Sequence, residues 1–269
     1  MKKLKGRTLL VCLAIVFIMS CGKNEISSDQ PNPSNEPSVM VDAGDYNLFT
    51  ETVGSGNHTL VFESALGDHF ETWSQFTNLV ENHQVITYNR AGYAPSETAS
   101  NTRDLEQLAA DLHQVILQKS ENEKVILVGY IFGGATIRYY ATQHPEKVKG
   151  LIFINPMHEG YISLTQARED SLVSLFNNDG RPEVANEVAQ FIEDYALLEA
   201  LPNLPNVPTV VLTSVGALSG DDKDAWVDAH KSLGEGLTDF THTTTEVSQL
   251  EIHEDEPQLV IDAIDSIIN

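Results

Sequence analysis

Few residues of this 269-residue chain stand where they could do chemistry. Ser64 follows a short β-rich run and opens the turn Ser64-Ala65-Leu66-Gly67. A hydroxyl there could attack a carbonyl, but only with a base within hydrogen-bond reach, and the sequence offers no evident one. His253, within Ile252-His253-Glu254-Asp255-Glu256, has two readings. It is either a base recruited from a shifted loop or a partly exposed structural histidine, and the second is preferred. His158-Glu159 could orient a group at a pocket mouth, though a structural pair is the favoured reading. Asp221, Asp222 and Asp224, like the acidic run after His253, supply hard oxygen ligands. Their spacing fits no metal loop, so a charged, solvated surface is expected and neither metal nor cofactor. The two cysteines are Cys12 and Cys21, which leaves the body of the chain without a disulfide, a thiolate ligand or a cysteine nucleophile.

The elements that must position these groups alternate between strand and helix. Apolar or β-branched runs at 59–62, 85–88, 125–128, 148–154 and 209–213 read as strands, and 243–247 as a further one. Between them, Phe70, Trp73 and Phe76 within 70–80, and Leu105, Leu108, Leu112 and Val115 within 102–118, keep helical spacing. Residues 133–144 (ended by Pro145), 224–233 and 259–268 read as helices too. Continuous apolar strands separated by amphipathic helices predict a mostly parallel sheet covered on both faces. From 158 to 205 the strand rhythm breaks and helical segments run together.

One junction is informative. The strand Val125-Ile126-Leu127-Val128 runs into Gly129-Tyr130-Ile131-Phe132-Gly133-Gly134 and then into a helix. This resembles the nucleophile elbow, G-x-S-x-G, of the α/β-hydrolase family, with Ile131 in the serine's place. Other segments resemble the family in the right order. Residues 62–68 look like its oxyanion loop, so the backbone N–H groups of Leu66 and Phe132 would form the oxyanion hole. Tyr88-Asn89-Arg90-Ala91-Gly92-Tyr93-Ala94-Pro95-Ser96 is similar to Y-D-R-x-G-x-G-x-S, with Asn89 replacing the aspartate. Asn155 replaces the aspartate of D-P-x-H-E, and counting seven back from Pro257 puts Leu250 where the catalytic histidine is expected. His253 falls where relatives often carry a second, non-catalytic histidine. An acid could instead come from Asp221, Asp222 or Asp224.

The resemblance implies a three-layer α/β-hydrolase fold at 39–269, with a mostly parallel sheet and a helical lid insertion at about 158–205. The degenerate triad positions are Ile131, Asn155 and Leu250. Ser64, Tyr130 and His253 would line the pocket, or serve as ordinary packing. The expected function is non-catalytic, that of a binding or structural protein. The alternative is an esterase-like hydrolase using non-standard residues.

The N-terminus adds a location. Lys2, Lys3, Lys5 and Arg7 precede a short apolar run ending at Ile18-Met19-Ser20-Cys21, which resembles a lipoprotein signal (1–20) with lipidation at Cys21; an ordinary secretory signal is the alternative. Residues 21–38 read as a flexible tether. The expected place is the cell envelope, with the membrane as partner through Cys21. The full chain carries 16 basic and 39 acidic residues; without the four basic residues of the signal the balance is 12 against 39, a net of −27. Such a surface repels phosphate backbones, which excludes nucleic acid as a partner.

Overall fold

The computed structural model describes residues 39–77 and 82–269. The signal, Cys21, the tether and the end of the 70–80 segment lie outside the described residues. Eight strands form one sheet: β1 (Val39–Asp42), β2 (Asn47–Val53), β3 (Thr59–Glu63), β4 (Gln84–Tyr88), β5 (Val125–Tyr130), β6 (Val148–Ile154), β7 (Thr209–Ser214) and β8 (Phe240–Thr245). The longer helices are α1 (Leu105–Lys119), α2 (Phe132–Gln143), α3 (Gln166–Asn178), α4 (Pro182–Val188), α5 (Phe191–Glu199), α6 (Gly220–Ser232) and α7 (Pro257–Ile268). The sheet order is β1-β2-β4-β3-β5-β6-β7-β8. From β4 to β8 every pairing is parallel, while β1–β2 and β2–β4 are antiparallel.

The central strands are apolar on both faces because helices cover both. Val61, Leu127, Leu151 and Phe153 pack with Leu112, Val115 and Tyr140 of α1 and α2. Their neighbours Leu60, Phe62, Ile126, Val128, Ile152 and Ile154 point the other way, into a cluster with Val260 and Ile264 of α7. This is the two-residue alternation of a pleated strand read on both sides. α1 starts where Asp104 accepts a hydrogen bond from the Gln107 N–H at 2.9 Å, an N-cap that also favours the helix dipole. The expected lid is present as α3, α4 and α5. They bury Leu172, Phe176, Val184, Val188 and Phe191 in a third cluster that also contains Leu66 and Phe132.

Some elements differ from expectation. β1 and β2 had no strong apolar run to announce them, since β2 buries only Leu48 and Thr50 fully. β8 begins three residues earlier than expected, in a threonine-rich sequence whose edge position leaves it largely polar. α6 begins at Gly220, so Asp221 and Asp222 form its first turn. The 70–80 segment opens with a 3-10 turn, Phe70–Trp73, followed by a short helix at Ser74–Thr77.

Candidate functional site

The site is built where β5 turns into α2. The turn needs glycine at its shoulders. A Cβ on Gly133 would lie 2.1 Å from the Glu63 carbonyl oxygen, and one on Gly129 would lie 2.6 Å from the Gly133 carbonyl oxygen. Ile131 sits at the tip with φ 49° and ψ −106°, a strained conformation for a β-branched residue. The turn has kept its tightness despite the substitution. Its backbone is held from two sides: the Ile131 N–H donates to the Ile154 carbonyl at 3.0 Å, and the Ile131 carbonyl accepts from Gly134 at 3.1 Å and Met157 at 3.0 Å. The side chain is 4% exposed and packs in the cluster with Phe62, Trp73 and Tyr130, against which Leu250 and Met157 also rest. An alkyl group there has no lone pair for attack.

The two positions that the resemblance pairs with Ile131, Asn155 and Leu250, are bonded to each other. Asn155, fully buried and with φ 45°, accepts a hydrogen bond from the Ser214 N–H at 2.7 Å. Its amide donates to the Ser214 Oγ at 2.9 Å and to the Leu250 carbonyl at 2.5 Å. The loop bearing Leu250 is therefore fastened by an N–H that a carboxylate lacks. An ionised aspartate at 155 would face that carbonyl oxygen with no proton to offer. Asn89 repeats the device: its amide donates to the Ala94 carbonyl at 2.7 Å while its oxygen accepts from Phe70 at 2.7 Å. The aspartates at the start of α6 are surface residues, with Asp221 and Asp224 exposed, in accord with the solvated reading.

Leu66 and Phe132, the residues that the resemblance gives the oxyanion hole, are both buried. Both belong to the lid cluster, and the Phe132 ring lies 5.1 Å from that of Phe191 on α5. Ser64 is buried, and its Oγ accepts a hydrogen bond from the Trp73 indole N–H at 2.9 Å. His253 is 1% exposed, which corrects the expectation of partial exposure. The short turn Ile252–Asp255 points its acids outward and the imidazole inward, with ring centroids 4.4 Å from Tyr130 and 5.1 Å from Trp73. Burial lowers its pKa to about 4, so the ring is neutral at neutral pH. Its Nδ1 and the Tyr130 hydroxyl are buried with no hydrogen-bond partner among the described residues.

His158 is structural. Its Nδ1 accepts from the Gly160 N–H at 3.0 Å, and burial first of all lowers its pKa to about 4, so it adds no charge beside Glu159. Glu159 instead takes both arms of Arg138, at 2.6 and 3.0 Å, and Arg138 also donates to the Leu198 carbonyl at 3.3 Å. That chain of bonds ties α2 to the end of the lid.

A second polar assembly went unpredicted. Arg90 holds Glu187 of α4 through two bonds, at 2.8 and 3.0 Å, and Glu63 at the end of β3 at 2.9 Å. The same guanidinium donates to the Ser64 and Ala65 carbonyls at 2.9 and 3.0 Å. Tyr88 donates to Glu63, and Tyr93 donates to Glu187 at 2.9 Å. Every member is buried. Burial raises the Glu63 pKa against the opposing pull of Arg90. One cation thus fastens the oxyanion loop and the lid to each other. The sequence offered two signals: Tyr88, Arg90 and Tyr93 lie in the segment that resembles Y-D-R-x-G-x-G-x-S, and Glu63 closes an apolar strand.

Residues 58–228 match the family described as alpha/beta hydrolase fold. A putative non-heme chloroperoxidase from Synechocystis is 27% identical over 147 residues, which cover 54% of this chain and 52% of that protein. A putative carbamate hydrolase from Azorhizobium caulinodans is 30% identical over 113 residues, 42% of each chain. The chain spans about half the length, or less, of the curated relatives it matches. An esterase from Exiguobacterium antarcticum superposes with a TM-score of 0.68 at 15% identity, over 87% of this chain and 100% of that one. A bromoperoxidase from Bacillus anthracis gives 0.65 at 14% identity, over 86% and 99%. At such identities the structures speak to fold alone. With the family match, the strand order and the glycine-shouldered turn in agreement, the chain belongs to the α/β-hydrolase fold family.

Proposed function

We propose that this protein is an exported, lipid-anchored member of the family that has lost hydrolysis and serves as a binding or structural protein outside the cytoplasm. The observation that carries the reading is Ile131: a buried alkyl group occupies the tip of an otherwise preserved elbow. Asn155 and Leu250 support it, because a neutral amide hydrogen-bonded to the Leu250 backbone leaves neither base nor acid beside the tip. Loss of triad members costs many orders of magnitude in rate in enzymes that use them, so an oxyanion hole alone is too weak a catalyst to be the purpose. Cys21 would anchor the chain to the membrane through its lipid.

A second reading, a hydrolase for a small ester or amide acting through Ser64 or His253, draws on one feature. His253 Nδ1 and the Tyr130 hydroxyl are buried polar atoms without partners among the described residues, and such atoms call for a structural or functional explanation. Against it, the Ser64 hydroxyl bonds the Trp73 indole, with no histidine among its partners.

A serine-reactive phosphonate and a panel of small esters test the choice. The proposal expects no labelling and no turnover above buffer, and none in Ile131→Ser unless Leu250→His accompanies it. Labelling that disappears in Ser64→Ala would overturn it. Radiolabelled palmitate incorporation that is lost in Cys21→Ala tests the anchor separately.

A further inference from the structure

Two of the polar ties between the lid and the body of the molecule use a cation. Arg90 holds Glu187 of α4, and Arg138 of α2 holds Glu159 and the Leu198 carbonyl near the end of α5. A third tie is different. Asp194, in the middle of α5, reaches the N-terminus of α1, where its Oδ1 accepts a hydrogen bond from the Leu105 N–H at 2.9 Å. The residue is 2% exposed, and its Oδ2 is buried with no hydrogen-bond partner among the described residues.

The charged groups that act on this carboxyl most strongly are all acids: Asp104, the N-cap of α1, Glu193, its neighbour on α5, and Glu187 of α4. Arg103, next to Asp104 in the chain, is spent on Asp111, and Arg90 on Glu63 and Glu187. The lid helix α3 brings another acid, Glu169, which accepts from the Ile192 N–H at 2.8 Å and the Gln166 amide at 3.0 Å. Two carboxyls thus share one helix end, Asp194 on the Leu105 N–H and Asp104 on the Gln107 N–H. The dipole of α1 favours negative charge there. The lack of water and of a donor for Oδ2 disfavours it more. Burial above all, and then the three acids, raise the Asp194 pKa to about 7 against the pull of the Leu105 N–H.

We propose that Asp194 is a pH-sensitive latch of the lid, holding α5 on α1 while its carboxyl is protonated and loosening that contact when the carboxyl ionises. Linkage sets the direction. The docked carboxyl takes up its proton near pH 7, and a carboxyl released into water only near the ordinary 3.8. Docking is therefore firmest in acid, weakens as the pH rises from about 4 to about 7, and levels off above that. Neither Ile131, Asn155 nor Leu250 takes part, so esterase turnover would overturn the non-catalytic reading and leave the latch untouched.

Amide hydrogen exchange of the full chain, read by mass spectrometry and corrected for the intrinsic pH dependence of exchange, tests it. Protection of the start of α1 and of α5 is expected to fall about tenfold or more between about pH 5.5 and pH 8, with no further fall at higher pH. Asp194→Asn keeps an acceptor for the Leu105 N–H and cannot ionise. Its protection should stay within about twofold over the same range. Asp104→Asn, a half-buried change that retains a capping side chain, removes the strongest of the three like charges. It should move the midpoint of the fall to lower pH with Asp194 in place, and it carries the test alone if Asp194→Asn does not fold. The proposal is overturned if the unmodified protein shows no such fall, or if the amides of β5 lose protection in parallel. It is also overturned if Asp194→Asn shows the same fall, or if Asp104→Asn leaves the midpoint where it was.

Discussion

Two buried polar regions lie close to each other and differ in kind. Around the elbow, the positions that would carry a nucleophile, a base and an acid hold Ile131, Leu250 and Asn155, with no formal charge among the three side chains. Around Arg90, one guanidinium and two carboxylates are buried with every bond made. The first region would normally bear the chemistry and the second only support it. Here the second region carries buried charge and the first carries none. Charge is present where removing it would leave buried counter-ions unpaired, and absent at the three elbow positions. The elbow has not been dismantled either: it retains its glycines and its strained tip. The shape of this turn is therefore set by its packing on β3 and β6, and it does not require the residue it normally displays.

The contrast predicts that the Arg90 region is the more sensitive. Arg90→Met leaves Glu63 and Glu187 buried without a counter-ion, and should cost about 3–5 kcal/mol of stability in urea unfolding. Adding Glu63→Gln and Glu187→Gln should recover most of that loss, because the penalty lies in the uncompensated charges. If the triple variant is no more stable than the single one, the cluster acts through shape alone.

Near the elbow, polar groups are buried in neutral form, so acid is the lever. His253 has its pKa depressed by burial to about 4. The unfolded chain takes up that proton near pH 6.5, the folded one only near 4, so its contribution is present above about 6.5 and is lost as the pH falls toward 4. Asp68 and Asp194, raised chiefly by burial to about 6 and about 7, pull the other way over much of the same range. The test is therefore a comparison. Between pH 7 and pH 4 the unmodified protein should lose up to about 3 kcal/mol more than His253→Phe, read from urea unfolding at each pH. Parallel curves would mean that His253 is solvated.

Asn155→Asp asks whether the acid position could be restored on its own. A carboxylate there gives up two donated bonds and faces the Leu250 carbonyl, so at neutral pH a loss of about 2 kcal/mol is expected. The loss should shrink in mild acid, where the protonated carboxyl can donate. An unchanged midpoint would show that the Leu250 loop is not fastened as described.

How much of this was legible in the sequence follows from what each feature depends on. The strands β5 and β6 and the turn between β5 and α2 could be read because local rules set them: continuous apolar runs and glycines at fixed spacing. Ile131, Asn155 and Leu250 were singled out by the same kind of rule, each being counted from a nearby Gly or Pro. β1, β2 and β8 were harder, since β1 is only four residues long and the threonines of β2 and β8 read as polar. The burial of His253 was masked by the acids that follow it, which face solvent while the ring does not. The Arg90 cluster joins residues 27 and 97 positions from Arg90, and no local pattern announces a contact at that distance.

The smallest effect concerns Ser64, whose backbone carbonyl is held by Arg90. Its Oγ accepts one hydrogen bond from Trp73, and its carbonyl accepts another from Arg90. Ser64→Ala removes the first and keeps the second. The indole N–H loses a partner in a buried place, so a cost of about 1 kcal/mol is expected, visible as a small fall in the urea midpoint. If the hydroxyl belongs to the support and not to a displaced reaction centre, the variant loses this stability and nothing else. Trp73→Phe should then produce a similar loss, since it removes the donor in place of the acceptor, plus the cost of the smaller ring. The two changes combined should cost less than their sum, because each severs the same bond. Strict additivity would mean that the Ser64 hydroxyl is engaged elsewhere, and its assignment to the scaffold would fail.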